Sequence, residues 1–507
     1  MQSSGISSKV VNQLRDNVDT LFISKINEAY IRVKSNPSVL QELTDYFTFS
    51  VPGFQFMPAF KNKLWDGKIR LFSAYDQKLY YGLLPYVESF AKKRNYPYVS
   101  QIQEYVKVSD EDLFDYVINL NLPFDPHDYQ FDAMRTGVIF KRMLLVSPTA
   151  SGKSFILYLL IRYLQDVLNK QKILLVVPTT SLTSQMYTDF GDYSKNNGWS
   201  NKENCHVIYA GQDKVSEKPI IISTWQSIYK MKENYFSQFD AVFGDEAHGF
   251  KSKSLTSIMT KCINADYRIG CTGTLDGTQT HKLVLEGLFG KVYRSTTTKD
   301  LIEKKILSPF KIESLVLQYT DDICESVKKH TYREELNFLT SNENRNTFIK
   351  NLALTLKGNS LILFSLVEHG NDLYQMIKGS CDDNRKVFFI YGGTATEQRE
   401  QFRGITEQSE NAIIVASYGV YSTGINIRNL HNIVFASPSK SRIRNLQSIG
   451  RGLRKSESKE IATLYDISDD LTWKKRTNYT LNHLKDRIQL YNEENFPYKI
   501  RNINFKG

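Results

Sequence analysis

Two series of short apolar runs, each run followed by a longer amphipathic stretch, constrain this chain more than any other feature of its sequence. The first series is Met143 to Ser147 (MLLVS), Ile173 to Pro178 (ILLVVP), Pro219 to Thr224 (PIIIST), Asp240 to Glu246 (DAVFGDE) and Tyr267 to Thr274 (YRIGCTGT). The second starts at Ser360 to Ser365 (SLILFS) and passes through KVFFIYGG, NAIIVASYG and NIVFASP to IATLYDI, which ends at Ile467. Runs that stay apolar without alternating belong to strands buried on both faces, the environment of a parallel sheet covered by helices. A chain of 507 residues also exceeds the roughly 250 to 300 residues that one core supports. The expectation is therefore an α/β protein with two tandem parallel-sheet domains.

Residues before about 125 read differently. They are aromatic and basic, as in FQFMPAFKNKLWDGKIRLF (Phe54 to Phe72), and they lack βα alternation, which predicts a separate small α+β domain. The expected divisions are a flexible extension over residues 1–22, the small domain over 23–124, the first α/β domain over 125–300 and the second over 301–507. A polar segment at Thr296 to Lys311, ending in Ser308-Pro309, reads as a hinge. The tail after Asp470 reads as a helix (KRTNYTLNHLKDRIQLYNEE) followed by a frayed end.

SPTASGKS, Ser147 to Ser154, joins the strand MLLVS to the apolar helix FILYLLIRYL, the context a phosphate-binding loop requires. Backbone N–H groups of Thr149, Ala150, Ser151 and Gly152 would wrap phosphate oxygens at a helix amino terminus. Lys153 would bridge the β- and γ-phosphates of ATP, and Ser154 would hold Mg²⁺ through its hydroxyl. Ser147 stands where the GxxxxGK[ST] pattern has its first glycine.

Asp245, Glu246, Ala247 and His248 (DEAH) close the strand AVFG, which places two carboxylates at the carboxyl end of a sheet, where open α/β folds bind ligands. Asp245 would hold the metal, and Glu246 would orient and deprotonate the attacking water. His248 is either a surface histidine or a link to the next segment, Thr272-Gly273-Thr274, whose small hydroxyl residues could relay nucleotide state. In the second series ASYGVYSTGINI contains Gly424, a candidate nucleotide contact, and QSIGRGLR contains Gln447, Arg451 and Arg454. The two arginines are three apart, so on a helix they share a face and could reach a γ-phosphate together.

Composition narrows the partners. The net charge of +11 favours a polyanion, because cationic side chains displace the counterions condensed on phosphates. No apolar run approaches the roughly 20 residues that span a bilayer, and MQSSGISSKVVNQLRDNVDT lacks an apolar signal core, so a cytoplasmic protein is expected. Five scattered cysteines (Cys205, Cys262, Cys271, Cys324, Cys381) contain no CxxC pair and read as reduced and mostly buried. In the amino-terminal stretch, Trp65 could stack on a base while Lys68 and Arg70 face phosphates; alternatively Trp65 is a core residue beside a solvated basic edge.

Taken together, these segments resemble the superfamily 2 helicases, over roughly Asp125 to Asp470. Tyr129 and Gln130 in PHDYQ look like the adenine-reading glutamine segment, and SPTASGKS looks like motif I. VPTTSLTSQM (Val177 to Met186), STWQS (Ser223 to Ser227), DEAH and CTGT look like motifs Ia, Ic, II and III. SLILFS, ASYGVYSTGINI and QSIGRGLR look like IV, V and VI. The resemblance implies two RecA-like lobes, ATP between them, and a nucleic-acid backbone contacted in lobe one by Thr179, Thr180, Thr224 and Gln226. Within the superfamily the chain resembles the UvsW-type helicases of bacteriophages, a likeness that extends into Glu42 to Phe72 and YYGLLPYVESFAKKRNY. That implies an ATP-dependent DNA motor that branch-migrates Holliday junctions, regresses forks, unwinds D-loops and R-loops and anneals strands, in recombination, repair and replication. The implied partners are branched, single- and double-stranded DNA, RNA in hybrids, and single-strand-binding or recombination proteins, with the helicase a monomer or weak oligomer. An RNA helicase and a restriction-type double-strand DNA translocase share the same lobes and are the alternatives.

Overall fold

The computed structural model describes residues 19–505, except 103–104, 210, 276, 383, 425–426, 428, 438, 440, 442–444, 447 and 451–460; residues 280, 396 and 422–424 are described by backbone alone. The chain separates into two compact units. The first takes in the described residues up to Ser295 other than Pro148–Ser151, and the second takes in Pro148–Ser151 and the described residues from Thr296 on.

The first unit opens with a small α+β domain. Its four-stranded sheet runs in the order Lys78–Tyr80, Tyr30–Lys34, Leu21–Lys25, Tyr98–Ser100, with the first two pairings antiparallel and the last parallel. Leu21, Ile23, Ile31 and Val33 alternate with outward residues, as a half-buried strand must, and join one core with Leu43, Val87 and Phe90. Those three come from the helices Pro37–Tyr46 and Leu84–Arg94, the first of which is capped by Asn36 Oδ1 accepting from the Val39 N–H at 2.9 Å. The strand begins at Leu21, which is fully buried, so the extension expected over residues 1–22 overlaps the sheet by two residues.

A second boundary shifts further. Ser109 caps the helix Asp110–Asn119, and three acidic residues fill its first turn, where the helix dipole favours negative charge. This helix buries Leu113 and Val117, with Leu120 just beyond it, in the same core as Met134, Val138 and Tyr163 of the following domain. Packing therefore assigns residues 110–120 to the first parallel-sheet domain, although the change of composition near residue 125 had placed them in the small one.

That domain is built on seven strands, all parallel. Their order is Val292–Arg294, Arg142–Val146, Tyr267–Thr272, Ala241–Gly244, Ile173–Val177, Ile220–Thr224, Cys205–Ile208. The five inner strands are the five predicted runs. The two edge strands are short and carry polar residues, so they lack the apolar signature of a strand covered on both faces. The phosphate-loop strand (Arg142–Val146) and the DEAH strand (Ala241–Gly244) flank Tyr267–Thr272, so all three motifs leave one edge of the sheet side by side.

The second unit repeats the design with seven parallel strands in the order Val387–Ile390, Ile413–Ser417, Ser360–Phe364, Asn432–Phe435, Ala462–Asp470, Phe310–Gln318, Tyr498–Asn504. The segment read as a hinge starts where the two units divide and carries the helix Thr298–Glu303, where Thr297 Oγ1 accepts from the Asp300 N–H and Asp300 Oδ2 from the Thr297 N–H, both at 3.1 Å. One expectation is corrected here. The presumed frayed end contains an edge strand in seven-residue register with Phe310–Gln318. Among the described residues two ion pairs are buried inside this unit: Arg345 to Asp469 at 2.8 Å and Arg487 to Asp466 at 2.8 Å. Charges removed from water in this way need partners, and each pair ties a helix to the strand Ala462–Asp470.

Candidate nucleotide and nucleic-acid sites

The phosphate loop begins where the strand Arg142–Val146 ends. Ser147 is fully buried; its N–H donates to the Thr272 carbonyl at 3.0 Å, and its Oγ accepts from Ser295 Oγ at 2.8 Å. The serine in place of the first glycine is thus anchored by its own hydroxyl. Ala150 (φ 66°) and Gly152 (φ 80°) lie in the left-handed region, and successive N–H groups alternating in hand in this way form anion-binding concavities. At Gly152 the positive φ favours glycine, and a Cβ would fall 2.4 Å from Gln130 Nε2, so that any larger residue would displace this amide. Gln130 is itself buried and fixed by its Oε1, which accepts from the His127 N–H at 2.9 Å, while the neighbouring Tyr129 ring stacks on His127 at 5.6 Å. Lys153 reaches back across the loop, Nζ donating to the Ser147 carbonyl at 3.2 Å, and the Ser154 hydroxyl lies 2.8 Å from the Tyr193 hydroxyl.

Asp245 and Glu246 follow directly on the strand Ala241–Gly244. Glu246 takes φ 48°, a conformation that costs a non-glycine residue free energy and is concentrated at functional sites. Burial, and then the adjacent Glu246 carboxylate, push the Asp245 carboxyl up to about 6, against the opposing pull of Lys153. His248 Nδ1 lies 3.0 Å from Thr272 Oγ1 and 3.3 Å from Glu246 Oε2. Because the Thr272 hydroxyl donates to the Thr274 carbonyl at 3.0 Å, its oxygen is left to accept, and Nδ1 is the donor. The half-buried imidazole thus hydrogen-bonds the Thr272-Gly273-Thr274 segment through Thr272 and lies beside the glutamate. A cavity of about 670 Å³ lies elsewhere, between the small domain and the amino ends of the strands, with Lys25, Tyr81, Arg142 and Tyr293 among its walls.

The four lobe-one residues expected at nucleic acid gather at the carboxyl ends of the paired strands Ile173–Val177 and Ile220–Thr224. Thr179 caps the helix Thr180–Tyr193, its Oγ1 accepting from the Leu182 N–H at 3.3 Å, and Thr180 is exposed. Gln226 is exposed and spans to the neighbouring segment, Nε2 donating to the Pro178 carbonyl at 3.4 Å. Thr224 is buried with its hydroxyl 2.9 Å from Ser227 Oγ, so this position offers backbone rather than a free hydroxyl.

In the small domain, Lys68–Arg70 pairs antiparallel with Thr48–Ser50, leaving Lys68 and Arg70 exposed. Trp65 is half-buried and outside the domain's core, with Nε1 donating to the Lys68 carbonyl at 2.8 Å, and Arg70 is ion-paired with Asp66. In the second unit Gly424 ends the helix Tyr418–Gly424, whereas Gln447, Arg451 and Arg454 fall outside the described residues. Cys205, Cys262, Cys271 and Cys324 are buried and Cys381 is half-buried. Among the described residues no cluster of three or more His, Cys, Asp or Glu side chains could hold a metal ion, and no helix is long and apolar enough to cross a membrane.

A parallel sheet with a phosphate loop and a strand-terminal Asp-Glu pair, in tandem with a second parallel sheet, defines the RecA-like core of a helicase-type ATPase. Residues 123–277 match the family of the type III restriction enzyme res subunit, and residues 24–100 match the amino-terminal domain of the DNA helicase UvsW. The chain is 35% identical over 506 residues, 94% of its own length and 98% of the relative's, to the ATP-dependent DNA helicase uvsW of Enterobacteria phage T4. It matches the crystal structure of T4 UvsW with a TM-score of 0.51 at 34% identity, covering 96% of this chain and 99% of that one. The protein belongs to the UvsW family of ATP-dependent DNA helicases. A more distant relative, the DNA 3'-5' translocase XPB2 of Sulfurisphaera tokodaii, is 24% identical over 66% of this chain and 80% of its own.

Sequence reasoning passed over three residues that the fold brings to these sites. Ser295 supports the phosphate loop, Tyr193 meets Ser154 at its end, and Arg268 fastens the small domain to the lobe. Each acts through a partner at least 39 positions away, and no local pattern marks it.

Proposed function

We propose that this helicase remodels branched DNA, branch-migrating Holliday junctions, regressing forks, unwinding D-loops and R-loops and annealing strands in phage recombination, repair and replication. The carrying observation is that the UvsW-type amino-terminal domain and the nucleotide-binding lobe form one compact unit. Arg268 is buried and donates to the Leu288 and Cys262 carbonyls, both at 3.0 Å, and across the junction to the Glu28 carbonyl at 3.1 Å. Arg142 donates to the same carbonyl at 2.8 Å and to the Glu28 carboxylate at 2.6 Å, while Tyr86 donates to Glu286 at 2.6 Å. Gly82 lies so close to the lobe that a Cβ would fall 2.0 Å from the Glu286 carbonyl oxygen. A domain fastened in this way keeps a fixed orientation to Thr179, Thr180, Thr224 and Gln226, so DNA engaged by both is presented in one geometry. Phosphate contacts of this kind position a strand without reading its sequence, which suits a motor that acts on structure.

In the motor, Gln130 and Tyr129 meet the adenine, and the N–H groups from Thr149 to Gly152 take phosphate oxygens. Lys153 takes the β- and γ-phosphates. Glu246 orients and deprotonates water, with His248 passing its state to Thr272, Gly273 and Thr274. Arg451 and Arg454, with Gln447 and Gly424, act from the second lobe. The donors at the metal position fit Mg²⁺: Ser154 and Asp245 offer hard oxygen atoms, and the strained Asp245–Glu246 pair is relieved by a nearby dication. When bound, Mg²⁺ neutralises charge developing on the phosphates. Trp65, Lys68 and Arg70 contact DNA from the small domain, a role that fits the exposure of the two basic side chains.

The test compares ATPase stimulation and unwinding on forks, four-way junctions, R-loops and RNA duplexes, with Lys153→Ala and Glu246→Gln as controls. Branched DNA should give the fastest unwinding, and each substitution should lower stimulated hydrolysis at least about 10³-fold without unfolding the protein. Preference for the RNA duplex would overturn the DNA assignment, and near-normal turnover in either variant would remove the residue roles.

A further inference from the structure

Tyr193 belongs to none of the helicase segments, yet its hydroxyl lies 2.8 Å from Ser154 Oγ. Its ring is held in place independently of that contact. Phe155 packs against it with centroids 5.0 Å apart, Tyr158 at 5.5 Å and Phe124 edge-on at 5.9 Å. Two of these rings come from the helix that begins at the phosphate loop, Lys153–Asp166, and the third from the segment leading into PHDYQ. Tyr193 is also the last residue of the helix Thr180–Tyr193, so a single 14-residue rod, about 21 Å long, runs from the capping residue Thr179 to this hydroxyl.

A serine hydroxyl has one proton and two lone pairs on a freely turning bond. To ligate a cation it must turn a lone pair to the ion and its proton away, and an acceptor fixed on the far side makes that the resting orientation. Outer partners that orient a ligand in this way change metal affinity by about 10- to 100-fold in well-studied metal sites. We infer that Tyr193 is a positioning residue of the magnesium site, its phenol oxygen accepting the Ser154 proton and aiming the Ser154 lone pair at the ion. This rests on the reading of Ser154 as the metal-binding hydroxyl.

Tyr193→Phe keeps the ring and removes only the oxygen. The experiment uses the full chain and follows binding of a fluorescent ATP analogue while Mg²⁺ is titrated, alongside the same binding in EDTA. The Mg²⁺ midpoint of Tyr193→Phe should rise about tenfold, at the low end for such outer partners, with the EDTA value and the melting temperature unchanged. In a Ser154→Ala background the same substitution should have no further effect, as a double-mutant cycle requires of two groups acting through one contact. An unaltered midpoint in Tyr193→Phe, an equal rise in the Ser154→Ala background, or an equal loss of binding in EDTA would each overturn the inference. A Ser154→Ala protein with the wild-type Mg²⁺ midpoint would instead overturn the underlying reading of Ser154.

Discussion

Asp245 and Glu246 occupy consecutive positions at the end of one strand, where two carboxylates crowd a site that burial has largely emptied of water. The Asp245 carboxyl rises to about 6 from an ordinary value of 3.8, with burial as the first cause and Glu246 as the second. A carboxyl raised by folding is favoured in its neutral form, so its contribution to stability is full below about pH 4 and is lost as pH rises through 6. At pH 7.5 the nucleotide-free protein therefore carries a penalty on the order of 3 kcal/mol, because each tenfold change in proton affinity is worth about 1.4 kcal/mol. Asp245→Asn should remove that penalty while abolishing ATP hydrolysis. Thermal unfolding should show the variant melting about 4 °C above wild type at pH 7.5, with the gap closing towards pH 4. A gap that stays constant between the two pH values would mean the carboxylate is not under strain.

At the scale of elements, the last strand supplies the most direct test. Tyr498–Asn504 completes the second sheet through its ladder to Phe310–Gln318, and most of its residues are exposed, so it contributes hydrogen bonds more than apolar burial. Deleting residues 498–507 would leave the Phe310–Gln318 edge open, with Phe310, Ile312, Leu315, Val316 and Leu317 buried along that strand. Open edges of apolar strands invite pairing between molecules. The truncated protein should melt several degrees lower in calorimetry and aggregate in proportion to its concentration, whereas an unchanged second-unit transition would show the strand to be dispensable. The run YKIRNIN alternates poorly and carries three cationic or amide side chains at its centre, Lys499, Arg501 and Asn502. For that reason it reads as a tail until its partner strand is in view.

For the whole molecule, two amino-terminal truncations separate the reading of domains by composition from the reading by packing. Removing residues through Ser100 takes away the small domain alone. Removing residues through Phe124 also strips Leu113, Val117 and Leu120 from the first parallel-sheet core and Phe124 from its contact with Phe155. The shorter deletion should yield a folded ATPase that binds forks less tightly while keeping most of its single-strand affinity. The longer one should lose several kcal/mol more, at about 2 to 5 kcal/mol for each large buried side chain. Equal melting temperatures for the two would restore the boundary near residue 124. The sequence by itself determined the two parallel sheets, the order of their motifs and the place of the phosphate loop between a strand and a helix, because each of these is written locally. A doubly buried strand is a continuous apolar run, and a phosphate loop is a turn between a strand and a helix. Only the tertiary structure decided which domain owns the helix Asp110–Asn119, that the tail ends in a strand, and that Ser295, Tyr193 and Arg268 serve the loop, its serine and the domain junction. Those outcomes depend on partners distant in the chain, and a contact between distant residues leaves no period or spacing in the sequence around either one.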